Sequence, residues 1–258
     1  MDALNAVSLI VYAAATALYL AFHNGLRRPL ARTARIMLAL GWVVQTVDIG
    51  IRCAHLQHPA SSTPEAMSFI AWTIVGGYLL ASLRYRLEAA GAFAVPEALI
   101  LLLLARVVPA AETPPLGSLG TLHILLATLG VATFALASII EILYLVQERR
   151  LKRKQLDRGG GAPLDTLDRL AARCVSIGFP IFTLALVTGA IWVARLGLLQ
   201  KGAVRPEYLL AVASWVAFGV LLVARVGGWQ GRRAAWLTVS GFAGVALVVL
   251  GYFLRATV

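Results

Sequence analysis

Charge is scarce in this sequence. Only 14% of its 258 residues are Asp, Glu, Lys or Arg, whereas 60% are hydrophobic. Soluble domains carry about 25% charged residues, so a chain with a mean hydropathy of +0.82 does not have water as its main solvent. Cysteine is limited to Cys53 and Cys174, too few for a disulfide framework or a thiolate zinc site. There is no Cys-x-x-Cys pair, HExxH helix, phosphate-binding loop or Ser/His/Asp set, which argues against a zinc enzyme, a nucleotide-driven pump and a hydrolase. Long polar regions are missing too, and that leaves one membrane domain as the whole of residues 1–258.

What the chain has is a repeated apolar run. A hydrocarbon core about 30 Å thick takes roughly 20 residues of helix to cross. Such runs occur at Leu4–Phe22, Thr33–Ile51, Ala66–Leu83, Ala92–Val108, Leu119–Val146, Cys174–Ala194, Tyr208–Ala224 and Ala234–Leu254. Lipid offers backbone groups no partner, so each is expected to be α-helical and the fold class is an all-α polytopic bundle of about eight transmembrane helices. Pro96 and Glu97 interrupt the fourth run. The first lacks a basic leader and a small-residue cleavage site, so it reads as a retained span.

The net charge of +11 does not point to nucleic acid, because the basic residues lie in the gaps between apolar runs. Of 23 basic residues, 17 fall in the odd-numbered gaps and 6 in the even-numbered gaps and the C-terminus. By the positive-inside rule the odd gaps are cytoplasmic and both termini lie outside the cytoplasm, as expected of a bacterial cytoplasmic membrane protein. Cys53 and Cys174 then stand at opposite faces, out of bridging range. Residues 147–173 form the largest cytoplasmic gap, opened by the basic run Arg149 to Lys154 and suited to anionic lipid. Within it, Pro163 to Leu170 reads as a short amphipathic surface helix that Asp165 is placed to cap, before Gly178-Phe179-Pro180 opens the sixth span.

An ionisable group near the hydrocarbon costs about 2.5–3.5 kcal/mol on insertion scales, so each one asks for a reason. His55 and His58 follow the second span and His123 opens the fifth, all at the outer face, while His23 lies at the inner end of the first. Imidazoles held at one depth by different helices are the minimum arrangement for axial ligation of a haem iron; solvation of each ring among the headgroups is the other reading. Asp48 and Arg52 are an i,i+4 pair with His55 on nearly the same face. This suggests Arg52 for a haem propionate and Asp48 for orienting an imidazole, or else a plain intrahelical ion pair. On the fifth span, 18 residues separate His123 from Glu141, five full turns, so both project from one face about 27 Å apart. Ala127, Gly130, Phe134 and Ala137 lie near that line, as a closely packed face requires.

Several stretches resemble the cytochrome c assembly proteins of the CcsA/ResC type and their shorter HemX- and YpjD-type relatives. They are His58-Pro-Ala-Ser-Ser-Thr-Pro-Glu65 with Trp72, His123-Ile-Leu-Leu-Ala, Pro163 to Leu170, Gly178-Phe-Pro, Thr188-Gly-Ala-Ile-Trp192 and Gly228-Trp-Gln-Gly-Arg-Arg-Ala-Ala235 with Gly241-Phe242. The resemblance covers about residues 50 to 245 in order. It implies b-type haem handled near the outer face, with His123 matching the family's external histidine as axial ligand and His55 or His58 as the other candidate.

The departures are equally informative. Where the exporting and attaching members carry a W-G-x-x-W-x-W-D-P-K-E loop, this chain keeps Trp192, Gly197, Pro206, Glu207 and Trp215 as remnants. The histidine expected late in the seventh span is replaced within Leu222-Val-Ala-Arg225, and the one after the eighth span is absent. Stacked indoles hold a porphyrin plane, and one tryptophan does not. The expectation is therefore not a full synthase but a haem-binding membrane protein that assists cytochrome c maturation or haem delivery. Its expected partners are the lipid bilayer, haem and other cytochrome c assembly or haem-synthesis proteins, with no nucleic acid. The alternative is a scaffold or regulator that has lost the cofactor and works through a partner. A transporter would rest on Asp48, Glu97 and Glu141 alone.

Overall fold

The structure is a computed structural model that describes residues 2–23, 29–54, 62–108, 117–154, 162–195 and 206–257. Among them the chain is all helical. The helices are α1 Asp2–His23, α2 Pro29–Ala54, α3 Thr63–Arg84, α4 Gly91–Val107, α5 Ser118–Lys152, α6 Leu164–Arg195, α7 Pro206–Val226 and α8 Arg232–Thr257, with a 3-10 turn Glu88–Ala90 before α4. All eight have the length and apolarity to cross a bilayer. Their alternation puts the starts of α1, α3, α5 and α7 at one face, called here the terminal face. The ends of those helices lie at the opposite, basic face.

α5 stands at the centre, packed against α3, α6 and α8, while α1 packs on α2 and α4, and α7 on α6 and α8. Its most extensive contact is with α6, and the reason is a reciprocal exchange of glycine and phenylalanine. A Cβ on Gly130 would lie 3.2 Å from Phe182 Cβ, and one on Gly178 would lie 3.0 Å from the Phe134 ring. Each ring fills the space the other helix leaves open, which is how membrane helices approach closely without a hydrophobic driving force. Phe134 also stacks on Phe218 of α7, 3.7 Å between centroids and 7° between planes. The other half of the core is rich in alanine for the same reason, with Ala15, Ala34, Ala71, Ala94, Ala98 and Ala135 fully buried.

The apolar runs locate every helix but misjudge three details. Pro96 does not interrupt α4, which runs through it; Pro96 is the sixth residue, so only one ladder bond near the start is forgone. The segment from Pro163 is not a separate surface helix. Leu164 to Arg195 is one continuous helix of 32 residues, since nothing between Leu164 and Gly178 breaks it. Asp165 accordingly caps nothing; its carboxylate pairs with Arg169 at 2.6 Å, both well exposed. The basic run is likewise helical as far as Lys152, supported by the Lys152–Glu148 pair at 2.6 Å. At 35 residues α5 extends about 52 Å, well past a 30 Å core. Gln147 Nε2 donates to the Ala162 carbonyl at 3.1 Å, and the Ala162 N–H to the Arg86 carbonyl at 3.1 Å. These bonds tie the basic end to the turn between α3 and α4. Both cysteines are free, Cys53 at the terminal-face end of α2 and Cys174 inside α6.

Candidate functional site

Near the terminal face the α5–α6 seam ends on an imidazole. Ala185, Gly189 and Trp192 lie at i, i+4 and i+7 on α6, one face of the helix, and His123 of α5 sits over all three. Its Nδ1 is 2.7 Å from the Ala185 carbonyl oxygen. A carbonyl only accepts, so the proton is on Nδ1 and the neutral ring keeps its lone pair on Nε2. The ring lies against Gly189, where a Cβ would come within 2.6 Å of Cε1 and 2.8 Å of Nδ1. Glycine is thus what lets the Nδ1–Cε1 edge of the imidazole approach α6. The Trp192 indole covers it from the side at 6.0 Å and 39°. Trp192, one of the remnants of the aromatic loop, is therefore brought to His123.

One imidazole nitrogen is fixed by a backbone acceptor and the other is without a hydrogen bond among the described residues, as a metal-ligating histidine requires. A haem iron fits this donor. Of the other histidines, His55 and His58 lie outside the described residues. His23 stands at the basic face, where its Nε2 is 3.3 Å from Arg150 Nη2 and its ring meets the edge of Phe93. Among the described residues no group of three metal-binding side chains occurs.

Asp48 and Arg52 occupy the terminal-face end of α2, buried on the side that packs against α1 and α3. The intrahelical pair forms, and Glu65 near the start of α3 completes it: Arg52 Nη1 donates to Glu65 Oε1 at 2.7 Å and Nη2 to Asp48. Both terminal nitrogens are engaged and only Nε lacks a partner. Arg52 as it stands therefore serves as a clamp between α2 and α3, with both Nη groups committed to carboxylates. Ser62 caps α3, its Oγ accepting from the Glu65 N–H at 3.4 Å. Deeper in the same helices Gln45 accepts from the Tyr12 hydroxyl at 2.7 Å and donates to the Ser68 carbonyl at 3.0 Å. Trp42, Trp72 and Phe69 form a half-buried stack with centroids 5.3 and 5.5 Å apart.

The sequence reading missed a second charged cluster altogether. At the basic face Arg225 of α7 donates to Glu141 of α5 at 2.6 Å and to Asp168 of α6 at 3.2 Å, and Asp168 also accepts from the Gly231 N–H at 3.1 Å. Glu141 has no exposed surface, and its Oε2 and Arg225 Nε have no hydrogen-bond partner among the described residues. Gly231 is required there twice over: its φ is +67°, and a Cβ would stand 2.8 Å from the Tyr144 hydroxyl.

The family model described as "Cytochrome C assembly protein" matches residues 30–257. "Cytochrome c biogenesis protein CcsA" of Prochlorococcus marinus subsp. pastoris is 27% identical, covering 85% of this chain and 79% of that protein. The protein of that name from Guillardia theta is 25% identical over 82% of this chain and 79% of its own length. The Synechocystis protein reaches 38% over a shorter stretch, 34% of this chain and 26% of its own. No solved structure matches. With nearly the whole length covered by one family model and eight helices able to span a bilayer, the chain belongs to the cytochrome c assembly protein family, a family of membrane proteins in cytochrome c maturation.

Proposed function

We propose that this protein binds a b-type haem near the terminal face and assists cytochrome c maturation or haem delivery, as a HemX-like member without the aromatic loop of a synthase. The observation that carries the reading is the His123 imidazole, oriented by Ala185 and Gly189 with Nε2 free of hydrogen bonds among the described residues. His123 is the axial ligand, and Trp192 supplies an aromatic wall beside it. The iron offers coordination positions that neutral imidazoles fill. His55 or His58 is the second ligand. The connection bearing both leaves the end of α2 and enters α3, and the Arg52–Asp48–Glu65 clamp holds those two ends together. Arg52 and Asp48 are thus positioning residues. The terminal face is the non-cytoplasmic side of a bacterial cytoplasmic membrane, and the basic end of α5 and the start of α6 meet its inner surface, open to other assembly or haem-synthesis proteins.

Detergent-purified protein is expected to show a Soret band that His123→Ala abolishes. Gly189→Ala, which drives a Cβ into the imidazole, is expected to weaken haem retention on the order of tenfold or more while the helical circular dichroism stays unchanged. Protein that carries no haem and takes up no added haemin overturns the proposal and leaves a cofactor-free scaffold in its place.

A further inference from the structure

The outward side of α7 carries a groove that neither the haem site nor the helix packing uses. It has a volume of about 520 Å³ and is lined by Trp215, Gly219, Val220, Val223, Ala224 and Trp229 among others. Nearly all of its surface is carbon. It is formed before anything enters it: Trp215 donates from Nε1 to Thr183 Oγ1 at 2.9 Å and stacks on Phe179 at 5.7 Å and 15°, so one wall is fixed. Gly219 makes the floor, where an added Cβ would just touch the Phe179 ring at 3.4 Å. Trp229 closes the other end beyond α7, its N–H bonded to the Ala224 carbonyl at 2.9 Å.

Depth and charge identify the occupant. From Trp215 to Ala224 the groove follows α7 for about 14 Å, close to half of a roughly 30 Å hydrocarbon core. It therefore occupies one leaflet, the one on the basic face. From Trp229 at the end of the groove the chain continues as Gln230-Gly231-Arg232-Arg233, where α8 begins. Both arginines are exposed and neither has an ion-pair partner among the described residues, unlike Arg225, whose two Nη groups bond Glu141 and Asp168. Trp229 and Trp236 are about half exposed at the same level, the depth at which indoles settle among headgroups. An open apolar groove one leaflet deep, with two exposed arginines three and four residues past its Trp229 end, matches a phospholipid with an acyl chain below and an anionic headgroup above. An iron porphyrin fits poorly, since the lining holds no imidazole, thiolate or carboxylate to ligate it.

We propose that the α7 groove holds one acyl chain of an anionic phospholipid whose headgroup is bound by Arg232 and Arg233. The test is lipid retention by the full-length protein, transferred from detergent into nanodiscs of phosphatidylcholine containing a minor fraction of phosphatidylglycerol and read by native mass spectrometry. The wild type is expected to keep phosphatidylglycerol in preference to phosphatidylcholine. Arg232→Gln with Arg233→Gln is expected to lower that preference on the order of tenfold or more. Gly219→Leu, which fills the slot, is expected to remove retention while leaving the exposed arginines in place. A control pair, Arg149→Gln with Arg153→Gln at the end of α5, should change nothing. Equal retention of both lipids by the wild type, loss in the control pair instead, retention that survives Gly219→Leu, or displacement of the lipid by haemin or by a co-purifying membrane protein would each overturn the assignment.

Discussion

The two ends of the bundle hold the same ionic unit built in two ways. At the terminal face Arg52 lies between Asp48 and Glu65; at the basic face Arg225 lies between Glu141 and Asp168. Each unit sets one guanidinium against two carboxylates and, among the described residues, leaves the arginine Nε without a partner. They differ in reach. The first joins neighbours in sequence, α2 and α3, and its Glu65 side chain retains 17% exposure. The second gathers α5, α6 and α7, holds the turn into α8 through the Gly231 N–H, and contains a Glu141 with none. A carboxylate that still meets water adjusts to the loss of its guanidinium, whereas the fully buried Glu141 does not.

That difference orders the expected effects. Arg225→Leu should be the most damaging, since it strands two buried carboxylates and frees the α7–α8 turn. Losing one partner of a buried ion pair costs about 3–5 kcal/mol, and unfolding in detergent should register a loss of that order. Arg52→Leu should cost less, about 1.5–3 kcal/mol, the range for a hydrogen bond to a charged group. Water reaches Glu65 in the variant. Its sharper signature should be spectral, because it frees the ends of α2 and α3: haem retention should fall further than unfolding alone accounts for. If Arg52→Leu destabilises as much as Arg225→Leu, the contrast between the two ends is wrong. Smallest of all should be Arg169→Gln. It removes a pair with Asp165 whose side chains are 65% and 71% exposed, so its effect should stay within about 0.5 kcal/mol in the same unfolding assay.

The same contrast explains what was legible in the sequence. Asp48 and Arg52 are one helical turn apart, so their pairing follows from spacing, and the structure adds only Glu65. Arg225 lies 57 residues from Asp168 and 84 from Glu141. No periodicity connects such positions, and in the sequence Arg225 reads as one more topological charge. Asp168 sits in a stretch whose polarity suggests a surface helix, yet its backbone continues into α6 and carries the carboxylate to the buried seam. The eight helices are readable because apolar length alone dictates them. The far end of α5 is not, because hydropathy stops where charges begin while a helix sustained by side-chain pairs such as Lys152–Glu148 continues. At the candidate site, His123 is legible as an outer-face imidazole. Its support by Ala185 and Gly189 is not, since it depends on the register of two antiparallel helices 62 residues apart at that contact.

One consequence of α5 follows from its being a single unbroken rod. His123 and Glu141 project from the same side of it about 27 Å apart, so the imidazole is mounted on a long lever whose fulcrum is the Glu141–Arg225 contact. A swing of five degrees about that pivot would carry the ring roughly 2.4 Å, enough to lift Nδ1 off the Ala185 oxygen. The aim of the His123 imidazole at one surface of the membrane is thus coupled, through one helix, to a guanidinium seated near the other.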